Sequence, residues 1–503
     1  MENVNSTPEF GAPQVSHAPK TEKKRIYEPD GKDVLVLFLT WGIGTFLAAL
    51  MLGPGLPGLG ITIGVALWYG ILSLLRGKKG FGSRAGFWLF LAVAALALTF
   101  SIWSNRWLRV WNLVFLLGLM GVQTVELFDL GSYVWSRPAM LAERGFLIFE
   151  GLFGALPAAV VTVGTKGKPC GKQGKMVLLG LGLSLPLVAV AATLLLQADG
   201  YFAYVVGDLI RRLREIFGDA LIRLIIGLLL LPFLFGLCYT LRHGKKRKER
   251  ELPTLTRMEP VVCAITLGVM DLLYGFFLVV QSAALFGGAE YLSRVPGLSY
   301  AEYARSGFFQ LVFVAALNLA LVLAACQFSK QEGGAWRAVQ LLCSLMIAMS
   351  AVILLSAAYR MTLYVQVYGL SFKRFLTYWG MVMLVIFLLA AAMKVWKKEF
   401  GFFKVLLTVS IVGWLALNAC NVDRVVAEYN VALYQHQETA LLDMDYMVYE
   451  LSYDALDALE GVTFKRPVQN DRMKYAILDR RARAGEEASH WQTWSLSAYL
   501  ASK

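Results

Sequence analysis

VVCAITLGVMDLLYGFFLVVQ, residues 261–281, carries a single acidic or basic side chain, Asp271. An α-helix needs about 20 apolar residues to cross the hydrocarbon core of a bilayer, and this run supplies them without a break. The rest of the chain repeats the pattern. Comparable runs fall near 34–52, 57–75, 85–103, 110–128, 176–197, 221–240, 307–326, 339–358, 376–395 and 402–420, and this one extends to 286. Of 503 residues, 57% are hydrophobic and 17% charged, and the mean hydropathy is +0.57, outside the range of soluble domains. The expected fold class is all-α, a polytopic membrane bundle of about eleven spans.

The formal net charge is +13. In a soluble chain that would suggest nucleic acid. Here Lys and Arg gather in short loops beside apolar runs, where the positive-inside bias accounts for them, and no nucleic-acid partner is implied. The basic segments are residues 19–26, RGKKGFGSR (76–84), GTKGKPCGKQGK (164–175), LRHGKKRKER (241–250) and KVWKKEF (394–400). With the N-terminus cytoplasmic, all of them fall on the cytoplasmic side, and an odd number of spans puts the C-terminus outside. The N-terminus through Glu28 is polar and basic, so no cleaved signal peptide is read.

The chain divides into a basic N-terminal tail (1–32), an N-terminal membrane bundle (33–128), a cytoplasmic-face segment with its basic loop (129–175), a main bundle (176–420) and an extracytoplasmic helical tail (421–503). Within the third part, GFLIFEGLFGALPAAVVTV (145–163) is apolar but interrupted by Glu150 and Pro157. It reads as an interfacial or re-entrant helix, since one more span would invert every later loop. Residues 199–220 place Phe202, Val205, Leu209, Leu213 and Phe217 opposite Asp208, Arg211, Arg212 and Glu215, the pattern of a helix lying flat on the outer surface. In the tail, VVAEYNVALYQ and YDALDALEGV are short amphipathic helices, the second with Ser452 as N-cap and Gly461 as its end.

The polar residues that stand out share the expected outer layer. YRMTLYVQVYGLSFKRF (359–375) puts Arg360, Tyr364 and Tyr368 on one helical face, with Gly369 as a C-cap and Ser371 capping the next helix. Arg374 follows, and Asp199, Tyr303, Arg305 and Asp423 lie at the same depth. Together they form a candidate outward-facing ligand pocket, because arginines near low-dielectric surroundings need counter-charges or carbonyls. The structural alternative is an interfacial belt of anchoring tyrosines and lipid-paired arginines. Ser299 and Glu302 match a helix capping box.

Two polar residues belong to the membrane interior, Asp271 and Gln281. An acid at that depth costs at least about 2.5–3.5 kcal/mol on insertion scales and should face the bundle interior with a hydrogen-bond partner. Chemical signatures are otherwise sparse. His17, His243, His436 and His490 are far apart, and Cys170, Cys238, Cys263, Cys326, Cys343 and Cys420 are scattered singly. No metal site, disulfide framework, cofactor motif or catalytic residue is assigned.

Several stretches carry a family resemblance. LYGFFLVVQSAALFGG, SYAEYARSGFFQL, YRMTLYVQVYGLSFKR, NVDRVVAEYN, ELSYDALDAL and HWQTWSLSAYLA, in that order, resemble the landmarks of bacterial polytopic membrane proteins grouped as domains of unknown function 4153 and 4173. The resemblance covers roughly residues 85–500. The closing segment has Gln492 and Ser495 where the family pattern more often has Arg and Asn. It implies a bacterial cytoplasmic-membrane protein and brings no activity or substrate. Residue chemistry favours non-enzymatic binding or sensing of a small molecule or protein partner at the outer face. A carrier or channel using Asp271 comes second. A membrane transferase, with Asp199 and Asp423 as its first candidate acids, is third.

Overall fold

The computed structural model describes residues 29–77, 81, 83–164, 180, 184, 187–188, 190–245, 258–286, 308–436, 442–464 and 467–503. The described chain is helical, with an isolated bridge between Met258 and Ser329. Its long helices are α1 (Gly31–Met51), α2 (Leu59–Arg76), α3 (Arg84–Ile102) and α4 (Arg106–Leu127), then α7 (Gly200–His243), α8 (Pro260–Phe286), α9 (Phe308–Phe328), α10 (Gly333–Tyr368), α11 (Phe372–Trp396) and α12 (Phe402–Ala419). Between α4 and α7 stand α5 (Ala139–Phe149) and α6 (Leu156–Gly164). After α12 come α13 (Val422–His436), α14 (Leu456–Leu459), α15 (Pro467–Ser489) and α16 (Leu496–Ala501). Ten described helices are long and apolar enough to cross a membrane, or eleven if the bent pair α5–α6 is one span. Of the sequence-expected span 176–197, residues 180, 184, 187–188 and 190–197 are described, and all of these are helical.

Local chemistry sets the element ends. Asp30 and Asp33 form a capping box at the start of α1, and Arg242 at the end of α7 binds both carboxylates, tying the first helix to the seventh. Farther along the same pair, glycines let the backbones touch. A Cβ at Gly44 would lie 2.8 Å from the Gly227 carbonyl oxygen, and one at Gly227 would lie 2.7 Å from the Thr45 nitrogen. Small residues at a crossing are how membrane helices gain van der Waals contact without a hydrophobic drive. α7 breaks at Gly218, whose φ of 71° is left-handed, dividing the expected flat helix from the span after it.

Residues 139–162 are bent by 42°, with a π-turn at Glu150–Gly154. A Cβ at Gly151 would meet Leu237 at 2.8 Å, so the bend packs beside the last turns of α7, at the end where α1 begins. α6 has nine residues, too few to traverse a bilayer by itself.

The helices form two bundles. α1, α2, α4, α6 and α7 share one apolar core. α8 to α12 share another, which continues without interruption into the C-terminal segment through Val426, Met447, Leu459 and Ile477. α3 and α4 meet α12 in a smaller core where the bundles adjoin. The segment from α13 to α16 is therefore a cap built onto the membrane helices rather than a separate body. It lies over the α1–α2, α3–α4 and α10–α11 turns, opposite the end where α1 and α10 begin.

Candidate functional site

The cap holds three turns, and the first is the one the sequence singles out. Gly369 ends α10 with φ 75°, and Ser371 caps α11 by accepting from the Arg374 backbone N–H. Arg374 Nη1 donates to the carbonyls of Tyr368, at 2.9 Å, and Gly369. Its guanidinium lies 4.3 Å from the centre of the Tyr364 ring, and that ring lies 4.8 Å from Tyr368's. From α13, Asn430 accepts from the Leu370 N–H at 2.8 Å and donates to the Leu370 carbonyl at 2.7 Å. The Tyr446 hydroxyl accepts from the Phe372 N–H at 2.8 Å. Tyr368, Ser371, Arg374, Asn430, Asp443 and Tyr446 line a cleft of about 200 Å³ between turn and cap.

The second turn joins α3 to α4. Asn105 caps α4 through Oδ1, accepting from Leu108 N–H at 2.7 Å, and donates from Nδ2 to Asp423 Oδ2 at 2.6 Å. The Ser452 N–H donates to the same oxygen at 2.9 Å. Ser104 Oγ accepts from the Tyr453 N–H at 3.1 Å and pairs with Ser497 Oγ at 2.8 Å. Tyr453 donates to Glu487 at 2.9 Å and lies under the Arg480 guanidinium. Deeper in the bundle, Asn112 donates to Asn418 at 2.6 Å and accepts from Trp414 at 2.8 Å. Buried Arg109 donates to the carbonyls of Trp103 and Leu56.

The third turn, between α1 and α2, takes the end of the chain. Gly58 N–H donates to the Gln492 carbonyl at 2.7 Å and Leu59 N–H to that of Trp494 at 2.8 Å. A Cβ at Gly58 would stand 2.2 Å from the Trp494 carbonyl. Gln492 works here through its backbone carbonyl, so neither of these bonds depends on its side chain. Ser495 caps α16 by accepting from Ala498 N–H, a role Asn fills as well.

Asp423 is 2% exposed. Burial pushes its carboxyl above the ordinary range, against the lowering effect of the Ser452 and Asn105 hydrogen bonds. Asp454 is raised in the same way by burial, opposed by Ser497 and Ser452 and reinforced by the neighbouring Asp423.

The structure thus gathers Tyr364, Tyr368 and Arg374 at one turn and sets Asp423 at another. Arg360 lies one turn before Tyr364, half-buried. Asp199 caps α7, accepting from the N–H groups of Tyr201 and Phe202, and among the described residues no contact joins it to the other candidates. Tyr303, Arg305 and the Ser299–Glu302 pair lie outside the described residues. Arg374 takes carbonyls where a carboxylate partner was sought, because the end of α10 presents free acceptors directly beneath it. Asp271 and Gln281 are buried in the second bundle, at 5% and 4% exposure. Gln281 donates to Ser356 at 2.6 Å, whereas Asp271 has no hydrogen-bond partner among the described residues. Sequence reasoning passed over Asn105, Arg109, Asn112, Asn430 and Tyr446. Asn105 did carry a signal, as a cap residue just before an apolar run.

No described group of three or more His, Cys, Asp or Glu residues is placed to hold a metal ion. Residues 90–462 match the model of a family described as Domain of unknown function (DUF4153). No curated protein and no solved structure matches the chain.

Proposed function

The chain belongs to the DUF4153 family, whose description states no activity, and we propose that it is a multi-pass membrane protein that binds or senses a small polar molecule beneath an extracytoplasmic cap. In this reading it sits in a bacterial cytoplasmic membrane with its N-terminus inside and residues 421–503 outside. The observation that carries the reading is the cleft at the α10–α11 turn. Its walls come from a membrane bundle and from the cap, and the same cap holds the turns of the other bundle, so an occupant would bear on both.

The lining suggests the class of ligand. Arg374 and Asp443 lend opposite charges, and Tyr368, Ser371 and Tyr446 add hydroxyls. At about 200 Å³ the cleft is smaller than the roughly 300 Å³ at which drug-sized pockets begin, which favours a zwitterion of amino-acid size. The test is thermal melting of the purified protein with a panel of free amino acids, dicarboxylates and monosaccharides, repeated on Arg374→Ala and Asp443→Ala. A zwitterion that raises Tm in the wild type alone supports the reading. A panel without effect, or shifts that survive both substitutions, would sink it.

A further inference from the structure

Where the two bundles adjoin, contacts near the cap and at the opposite end bracket a gap. Near the cap, the centre of the Trp414 ring of α12 lies 4.4 Å from that of Phe115 of α4, and Trp414 Nε1 donates to Asn112 at 2.8 Å. At the opposite end, the chain leading into α5 comes beside the start of α12, where a Cβ on Gly401 would lie 4.0 Å from the Ser136 Cβ. Between these contacts, residues within 114–122 of α4, 141–148 of α5 and 407–415 of α12 line a groove of about 500 Å³. Its lining side chains are aliphatic or aromatic except for Arg144 and Ser410.

Glycines leave the room. A Cβ at Gly118 or Gly145 would meet nothing within 4 Å, and one at Gly121 would stand 3.6 Å from Ile148. Val114 and Leu117 on the rim are exposed, as lipid-facing residues of a membrane helix are. At 1.5 Å per residue the lining follows about 12 Å of α4 and of α12, close to the roughly 15 Å of hydrocarbon in one leaflet. Arg144 stands at the end away from the cap, its side chain 3% exposed. Its Nη2 pairs with Glu126 and its guanidinium lies 4.2 Å from the centre of the Trp135 ring, but Nε and Nη1 have no hydrogen-bond partner among the described residues. The acids nearby are already engaged, Glu126 by Arg144 and Ser83, and Glu143 by Ser132 and the Tyr133 N–H. Exposed Lys404 lies one turn beyond Leu407 on the same face of α12.

Buried N–H donors without acceptors call for a group that brings oxygens, preferably charged ones, and an apolar groove one leaflet long calls for a hydrocarbon chain. We propose that the groove binds one phospholipid from the leaflet opposite the cap, an acyl chain lying between α4 and α12 as far as Trp414 and the phosphate oxygens taking the donors of Arg144, with Lys404 adding positive charge. The groove lies away from the cleft under the cap, so either assignment survives the failure of the other.

The experiment places the full chain in vesicles of phosphatidylethanolamine and phosphatidylglycerol with a trace of phosphatidylglycerol carrying a diazirine in its acyl chain, and maps the photolabelled residues by mass spectrometry. Label should concentrate on residues 114–122 and 407–415. Gly118→Phe, which fills open space and leaves the Arg144–Glu126 pair intact, should cut that labelling about tenfold, and Lys404→Gln should lower it by a smaller factor. Unlabelled phosphatidylglycerol should compete better than diacylglycerol, which lacks the phosphate. Labelling of the groove no denser than that of the exposed face of α8 would overturn the proposal, as would full labelling in Gly118→Phe. Equal competition by diacylglycerol would refute the phosphate at Arg144. Arg144→Gln should abolish the preference for phosphatidylglycerol; should that variant fail to fold, Gly118→Phe and the competition still decide the matter.

Discussion

Replacing Asn430 with Ala should open the cap at the cleft. The Asn430 amide serves both backbone groups of Leu370, its oxygen taking the N–H and its nitrogen giving to the carbonyl, and Leu370 is buried. Leaving one buried polar group unsatisfied costs about 1–3 kcal/mol. Two such groups, eased in part by water reaching a turn near the surface, come to about 3 kcal/mol, or roughly a hundredfold in the open population. The assay is limited proteolysis of nanodisc-embedded protein under conditions where cleavage tracks the open fraction, followed at sites between 442 and 464. Asn430→Asp is the informative control. It keeps an acceptor for the Leu370 N–H but sets oxygen against the Leu370 carbonyl, so it should cleave at least as fast as Asn430→Ala. Cleavage of Asn430→Ala within twofold of wild type would refute the reasoning and mean that the cap is held elsewhere.

Because burial raises the folded-state values of Asp423 and Asp454, their contribution to cap stability is complete below the ordinary carboxylate pKa. It is lost as pH rises through the raised values. Cap opening, followed by the same proteolysis, should increase over that window, and Asp423→Asn should flatten the profile; a cap that tightens with rising pH would contradict this. Gly227→Leu drives a side chain into the α1 backbone at Thr45 and should cost about 1–3 kcal/mol or more, read as a lowered Tm, while Gly70→Leu, with open space around it, should not. Reporter fusions in the loops at 76–84 and 241–250 should report cytoplasm and a fusion after Lys503 the outside; a cytoplasmic signal from the last would reverse the proposed orientation.

The membrane helices were legible because their signal is local. A bilayer demands a certain length of apolar residues, and each described span appears within a few residues of its sequence-expected place except where helices run past the core, as α10 does. The Gly369 and Ser371 caps were legible for the same reason, since a left-handed glycine followed by a capping serine states its geometry in three residues. The Gly218 break was half-visible, as a change from amphipathic to uniformly apolar pattern.

The seam under the cap was hidden because it is assembled from single residues on distant segments. Asn105, Asp423 and Ser452 come from three parts of the chain, and nothing in the spacing of any one announces the others. The chosen candidates shared a membrane layer, but depth does not fix lateral neighbours. That is why Arg374 and Asp423, expected around one pocket, sit at different turns. Asp271 was legible as a buried acid, but its lack of a described donor was not, since that depends on which faces of α9 and α10 turn toward it.

The hydrogen bond from Ser104 to Ser497 joins residues 393 positions apart, and the bonds from Gly58 and Leu59 to Gln492 and Trp494 reach farther still. During synthesis the turns of the first two hairpins must therefore stay bare until residues 492–497 have been made. Loops of that length close slowly. A nascent protein arrested before residue 490 would hold both bundles with nothing to latch the α1–α2 turn, and that exposed glycine-rich turn would give a protease a means of telling a molecule still lacking its latch from one that has it.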